Sequence, residues 1–153
     1  MKKALSRLTP SLMILSILTF SSYSVSAFET EALVIPRVVI LIPGISSTIE
    51  ITQNYKFPQD FSQFLILAIG DGPLGITLTK SGSKEDTLFL TGVGISSAGI
   101  IPVFKFGSGD TVSLRDSVEI GDERYPYGLV WISSWVDSTV NDPPYSYSLT
   151  LTF

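Results

Sequence analysis

The clearest hydrophobic pattern in this sequence is at its C-terminal end, from Tyr145 to Phe153. Apolar residues alternate there without interruption with serine or threonine. Successive side chains of a β-strand point to opposite sides, so this period of two predicts a strand with one buried face. The buried face would carry Tyr145, Tyr147, Leu149, Leu151 and Phe153.

Similar short runs recur along the chain at intervals of about ten residues, separated by turns that contain glycine or proline. Thr48–Thr52 and Leu74–Thr79 alternate, whereas Phe64–Ile69 is apolar on both sides. No window of useful length has helical apolar spacing free of glycine, proline and crowded β-branched residues. The pattern predicts an all-β protein, and we interpret it as a single antiparallel β-sandwich.

Two of the predicted strands contain a proline. Leu33–Ile42 is strongly apolar and includes Pro36, and Ile100–Phe106 includes Pro102. Because proline has no backbone N–H to donate to a sheet, Leu33–Ile42 is predicted to be an edge strand or a strand that begins after Pro36, and Ile100–Phe106 is predicted to lie at a sheet edge. The stretch Gly92–Gly99 is rich in glycine and serine, and we predict that it is irregular.

The N-terminal residues have the three parts of a secretory signal peptide. Lys2, Lys3 and Arg7 form a basic start. The apolar stretch Leu12–Phe20 follows, and small residues end at Ala27. We therefore predict a signal peptide over residues 1–27, with cleavage after Ala27.

Cleavage at that point would leave residues 28–153. We interpret 28–41 as an N-terminal extension or first strand and 42–153 as one β-sandwich domain, since the length leaves no room for two domains. The apolar stretch of the signal peptide is too short to span a bilayer. The mature protein is predicted to have no membrane span and to be secreted, periplasmic or located at the cell surface.

Composition narrows the chemistry that this chain can perform. Without residues 1–27 it has 7 basic and 14 acidic residues, a net charge of −7, which argues against nucleic acid as a partner. The chain has no cysteine and no histidine. Disulfides, thiol catalysis, Ser-His-Asp catalysis and most zinc sites are therefore excluded. We assign no catalytic residue and expect a protein that is not an enzyme.

The two tryptophans of the chain, Trp131 and Trp135, are four residues apart with Ser133 between them. On a regular strand all three lie on one side, and the aliphatic residues between them lie on the other. Aromatic rings on an exposed strand can stack on sugar rings, because they offer a large area at a low entropic cost. We predict Trp131, Ser133 and Trp135 as ligand-binding residues; the alternative is that a tryptophan covers the edge of the core.

A second candidate site is acidic. Glu85, Asp86 and Asp116 could supply oxygen ligands to Ca²⁺, although the sequence has no Asp-x-Asp-x-Asp-Gly loop. The alternative is an acidic surface that keeps the protein soluble. No other cofactor is predicted.

Several patches between residues 42 and 153 together resemble a known family. In order they are Ile42-Pro43-Gly44 with Thr48-Ile49, Tyr55-Lys56-Phe57, Leu74-Gly75-Ile76-Thr77-Leu78, Glu85-Asp86-Thr87-Leu88-Phe89-Leu90, Val118-Glu119-Ile120, Gly128-Leu129-Val130-Trp131-Ile132 and Tyr147-Ser148-Leu149. They resemble the bacterial pre-peptidase C-terminal domain, and Thr87 departs from its Asp-x-Asp-Leu-Tyr-Leu signature. The resemblance implies a jelly-roll-like β-sandwich that serves as a non-catalytic accessory or binding module, with Tyr55-Lys56-Phe57 in an aromatic strand.

These observations predict a secreted β-sandwich module that binds a polysaccharide or an extracellular protein. One alternative is a pilus-like or surface structural subunit that assembles through edge strands such as Leu33–Ile42. Another is an outer-membrane β-barrel, because the chain ends on an alternating strand at Phe153, although the short strands favour a sandwich. The pattern leaves the oligomeric state open.

Overall fold

A computed structural model describes residues 35–97, 99–122 and 124–153. These residues contain no helix and form nine strands: β1 (Arg37–Leu41), β2 (Ser46–Gln53), β3 (Ser62–Ile69), β4 (Gly72–Ser81), β5 (Asp86–Ser96), β6 (Gly99–Ser108), β7 (Thr111–Ile120), β8 (Tyr127–Ser138) and β9 (Tyr145–Thr152). The predicted all-β class is confirmed. The described part of the chain thus has no helix that could cross a membrane. The predicted signal peptide, 1–27, lies outside the described residues, as does the segment that follows it up to residue 34.

The strands form two sheets that enclose one core. One sheet has five strands in the order β1-β3-β8-β5-β6, and the other has four in the order β2-β9-β4-β7. From β2 to β9 this is the strand order of an eight-stranded jelly roll. Both sheets have open edges, so the described strands form a sandwich and not a closed barrel.

The pairing of β1 departs from the antiparallel prediction, because β1 runs parallel to β3 with Val38 opposite Leu65. The chain crosses from β1 to β2 in the other sheet and then returns to β3, so that β1 and β3 point the same way. The edge predictions hold: β1 begins directly after Pro36, and β6, which contains Pro102, forms the opposite edge.

The core is built from the inward side chains of all nine strands, which alternate along each strand with outward ones. As predicted, β9 buries Tyr145, Tyr147, Leu149 and Leu151, and Phe153 packs against the core while partly exposed. This strand lies between β2 and β4 in the four-stranded sheet. Each fully buried side chain of this kind stabilises the fold by about 1.5–3 kcal/mol.

Buried polar contacts join the two sheets. Gln53 Nε2 donates to the carbonyl of Val136 at 3.0 Å, and its Oε1 accepts from the Val136 N–H at 2.8 Å. The Tyr147 hydroxyl donates to the Ser134 carbonyl at 3.0 Å, and burial raises the pKa of Tyr147 so that it stays protonated. A buried polar group without a partner is costly, and these bonds therefore fix the position of β8 relative to β2 and β9 of the opposite sheet.

The structure contradicts the prediction that Gly92–Gly99 is irregular, because β5 continues to Ser96. A Cβ on Gly92 would collide with the carbonyl oxygen of Trp131, and one on Gly94 would lie 2.7 Å from a methyl group of Val118. These glycines allow close packing within and between the sheets, which explains glycine in a strand.

The residues Tyr55-Lys56-Phe57 lie in the connection between β2 and β3 and not in a strand, contrary to what the family resemblance implied. Asp60 closes this connection, since its carboxylate accepts a hydrogen bond from the backbone N–H of Asn54 at 2.5 Å. The closed loop brings Phe57 back over the outside of the five-stranded sheet, where it stacks on Trp135.

Candidate functional site

The two sheets present different surfaces to solvent. The outward side chains of the four-stranded sheet are mostly serine and threonine, and we call this surface the polar face. It comprises Ser46, Thr48, Glu50 and Thr52 of β2, Ser146, Ser148, Thr150 and Thr152 of β9, Pro73, Gly75, Thr77, Thr79 and Ser81 of β4, and Thr111, Ser113, Arg115, Ser117 and Glu119 of β7.

The outward side chains of the five-stranded sheet are mostly apolar, and we call this surface the apolar face. Its apolar members are Val38 and Ile40 of β1, Leu65, Leu67 and Ile69 of β3, Tyr127, Leu129, Trp131 and Trp135 of β8, Phe89, Val93 and Ile95 of β5, and Ile100, Pro102, Phe104 and Phe106 of β6. The polar positions within it are Gln63, Thr87, Thr91, Ser108 and Ser133, and Asp137 at the end of β8 carries a charge.

Much of the apolar face is open to solvent in a single copy of the chain. Val38 and Ile40 are 66% and 63% exposed at one edge, and Phe104 and Phe106 are 62% and 63% exposed at the other. Monomeric soluble proteins seldom expose a large contiguous apolar surface, and such a surface usually marks an interaction site. This sheet face is therefore the candidate functional site.

A row of neighbouring aromatic rings, most of them stacked, crosses one end of the apolar face. Phe57 stacks on Trp135 with ring centroids 4.5 Å apart, and Trp135 stacks on Phe89 at 5.0 Å. The row continues to Phe106 at 6.2 Å from Phe89, and then to Phe104 at 5.9 Å from Phe106. We call these five residues the aromatic row. The register of the sheet creates it, because Trp135 lies opposite Phe89 and Phe89 lies opposite Phe106.

The aromatic row determines what Trp135 can offer to a ligand. Its indole lies nearly parallel to both neighbouring rings, at 20° to Phe57 and 9° to Phe89. Since both rings stack on the indole, the half-buried side chain presents its edge rather than a free flat face. Stacking on a sugar requires such a free face. Trp135 is therefore better arranged for packing against apolar groups.

Trp131 lies farther along the same strand, half-buried between Leu65 and Val93. Four residues of a strand separate it from Trp135, which is about 13 Å. Its indole N–H is buried without a hydrogen-bond acceptor among the described residues. Ser133, also half-buried, lies between the two tryptophans. The structure thus confirms that the three residues share an outward face, and their role as ligand-binding residues stays a prediction.

Sequence reasoning missed the phenylalanines that complete the aromatic row. The sequence patterns place Phe89 only in a family signature, and Phe104 and Phe106 only in an edge strand. The available signal is the spacing of Phe104 and Phe106, which places both rings on one side of a strand. Their proximity to Trp135 depends on strand pairing between distant segments, and the sequence pattern does not specify that pairing.

Asp86, one of the predicted calcium ligands, is buried in a polar cluster at the start of β5. Lys80 Nζ lies 2.6 Å from one carboxylate oxygen, and Asn141 Nδ2 donates to the other at 2.8 Å. Burial acts to raise the pKa of Asp86, but hydrogen bonds from Asn141, Lys80 and Ser138 outweigh it and hold the pKa at about 2. Asp86 is therefore ionised and serves as the counter-charge of a buried lysine.

The other two predicted calcium ligands have different surroundings. Glu85 is exposed and accepts a hydrogen bond from the Ser83 hydroxyl, while Asp116 lies on β7, where its carboxylate accepts from the Ser117 N–H. No group of three or more acidic side chains in the described ranges is arranged to hold a metal ion. The calcium site stays a prediction, without support from the positions of these carboxylates.

The chain is similar to several solved β-structures. One is the pre-peptidase C-terminal domain of a collagenase from Bacillus anthracis, at 8% identity and a TM-score of 0.42, covering 77% of this chain and 97% of that one. Another is the globular domain of zebrafish complement 1qA protein, at 13% identity and a TM-score of 0.37, covering 71% and 96%. A third is PliG of Aeromonas hydrophila, a periplasmic inhibitor of g-type lysozyme, at 10% identity and a TM-score of 0.34, covering 77% and 98%.

The first of these domains is of the kind that the sequence patches resemble. No family model matches the chain, and no curated protein matches it.

Proposed function

We propose that this protein is an exported, non-catalytic β-sandwich module that binds a protein surface through its apolar face. The observation that carries the proposal is the outward side of the five-stranded sheet, where aromatic and aliphatic side chains replace the serines and threonines of the polar face. Apolar contact drives most protein–protein association.

The chemistry of the apolar face favours a protein over a polysaccharide. A sugar site needs free ring faces together with polar groups that fix the hydroxyls. Here the indole of Trp135 is stacked between two phenylalanines and offers no free ring face, although its outward neighbours along the strand, Ser133 and Asp137, are polar. Protein interfaces, in contrast, are enriched in tryptophan, tyrosine and phenylalanine and depleted of charge at their centre.

Retention on an apolar resin tests whether this face is available for binding. We expect retention of the protein on octyl-substituted resin, and no depletion from solution by insoluble cellulose, chitin or starch. The Phe106→Lys variant, which adds a charge to the exposed edge of the apolar face, should lose most of its retention on the resin. The Ser146→Lys variant, which adds the same charge to the polar face, should be retained like the unaltered protein.

Acrylamide quenching of tryptophan fluorescence distinguishes the two kinds of ligand, since both tryptophans lie on this face. Soluble polysaccharides should leave quenching unchanged. If a polysaccharide instead protects the tryptophans and Trp135→Ala abolishes its binding, the module binds sugars and the proposed protein-binding function is wrong.

A further inference from the structure

We propose that the partner on the apolar face is a second copy of this chain, so that the protein forms a dimer in which two five-stranded sheets pack face to face. This inference rests on the proposed function, because it names the occupant of the same surface. It is carried by the area of the face, its shape and its lack of charge.

The area of the apolar face matches what a stable dimer requires. Five strands spaced about 4.8 Å apart give a width of about 24 Å, and about nine residues per strand give a length of about 30 Å. The face therefore covers about 700 Å². A standard protein–protein interface buries about 800 Å² on each partner, and stacked sheets pack about 10 Å apart.

The shape of the face is self-complementary. Three members of the aromatic row, Phe89, Phe104 and Phe106, project from the half formed by β5 and β6, whereas β1 and β3 carry smaller aliphatic side chains such as Val38 and Leu65. The central strand is β8. A two-fold axis along β8 places β6 of one copy over β1 of the other, so that each aromatic half contacts an aliphatic half. Such an isologous interface uses the same patch twice and closes the assembly at two copies.

The apolar face is nearly free of charge, which permits contact between two acidic copies there. Every copy is acidic, with a net charge of −4 for the whole chain, so two copies repel each other over most of their surfaces. The outward positions of β1, β3, β5, β6 and β8 hold a single charged residue, Asp137. It lies at the exposed end of its strand, where water and salt screen its repulsion from the second copy.

The test is sedimentation velocity of the protein as purified after export, over a dilution series from about 1 to about 100 µM. We expect a species with twice the mass of one chain that dissociates on dilution. Replacing Phe104 or Val38 by Lys should weaken association by at least about tenfold, since each buries a charge in the interface. Ser146→Lys on the polar face should dimerise like the unaltered protein. Thermal denaturation confirms that each variant is folded, as expected for substitutions at exposed positions.

A mixing experiment tests the arrangement of the two copies. Ile100→Lys and Ile40→Glu variants should each be monomeric alone and form a heterodimer together, because residues 100 and 40 are level with each other in the sheet register and residue 100 of one copy then faces residue 40 of the other. Absence of a heterodimer would overturn the arrangement with β6 over β1.

Other occupants give different results, and each of them contradicts the inference. A protein that is monomeric at every concentration has no self-association, and open-ended polymers indicate assembly through sheet edges. A monomer that binds neutral phosphatidylcholine vesicles, with Phe104→Lys abolishing the binding, uses the face for lipid. The proposed function fails separately, through protection of the tryptophans by a polysaccharide, and a monomer retained on octyl resin would leave it intact.

Discussion

The polar face and the apolar face cover the same core, yet only the polar face follows the simple rule of a half-buried sheet. In the four-stranded sheet the inward positions are mostly apolar and buried, and the outward positions are mostly serine, threonine or charged residues. In the five-stranded sheet a strand such as β3 is apolar on both sides. A surface sheet normally keeps the second side polar, so apolar residues on both sides indicate two burial events. Under our proposal, the first is folding and the second is association.

The difference also separates stability from function. The inward residues of both sheets form the core and provide most of the stability of the fold. The outward apolar residues add little stability while they remain in contact with water. Substitutions on the outside of the five-stranded sheet should therefore alter binding with little loss of stability. Substitutions of the inward residues beneath either face should lower stability without changing the binding surface directly.

The largest effect is expected from a charge placed beneath the polar face. Leu149→Asp should unfold the protein, because Leu149 is fully buried and an unpaired buried charge costs several kcal/mol. Its neighbour Thr150 points outward, and Thr150→Asp should leave the protein folded. Circular dichroism during thermal denaturation measures both. If the two variants melt alike, the assignment of the two sides of β9 is wrong.

The next effect concerns the buried ion pair between Lys80 and Asp86. Asp86→Asn should destabilise the fold by about 3–5 kcal/mol, because it leaves the Lys80 ammonium buried without its counter-charge. The exposed pair of Lys84 and Asp110 is a matched control, and Asp110→Asn should cost less than about 1 kcal/mol. Urea denaturation gives both values. Equal losses would show that the buried pair has no special role.

The same carboxylate predicts how the protein responds to acid. The pKa of Asp86 is about 2 in the folded protein, against a usual value of 3.8. Its contribution to stability, about 2 kcal/mol, is complete above about pH 4 and is lost as the pH falls toward about 2. Association through the apolar face should change little from about pH 5 to about pH 8, since the chain has no histidine, the side chain that ordinarily changes its charge in this range. Urea denaturation and sedimentation at each pH test the two statements separately.

The smallest effect is expected on the apolar face itself. Trp135→Ala should cost about 1–2 kcal/mol, because the half-buried indole stacks on two rings but belongs to no part of the core. A loss of about 3 kcal/mol or more would make Trp135 a core residue. Ser148→Ala, on the polar face, is the control and should be nearly neutral. Chemical denaturation provides the comparison.

Strand patterns alone predicted much of the fold. The alternation of Tyr145–Phe153 correctly assigned its inward side, and Pro36 and Pro102 correctly placed two strands at sheet edges. The parallel pairing of β1 and the extension of β5 through Gly92 were not predicted. Both depend on which strand lies alongside, and glycine in a turn and glycine at a close strand contact look the same in a sequence.

The candidate site was predicted only in part. Sequence periodicity placed Trp131, Ser133 and Trp135 on one side of a strand, because a strand's period of two is a local property of the backbone. It could not show that Phe57 and Phe89 cover the two faces of Trp135. That contact depends on a loop closing over the sheet and on the register of β5 against β8.

The sequence by itself determined that this protein is made of β-strands, which side of most strands is apolar, and which catalytic chemistries lack the necessary residues. The tertiary structure alone decided that the apolar outer sides of five strands join into one continuous surface. The physical reason is that periodicity operates within a strand, whereas a surface forms across strands. Residues as far apart as Val38 and Trp135 share a face only after the sheet order β1-β3-β8-β5-β6 has been established.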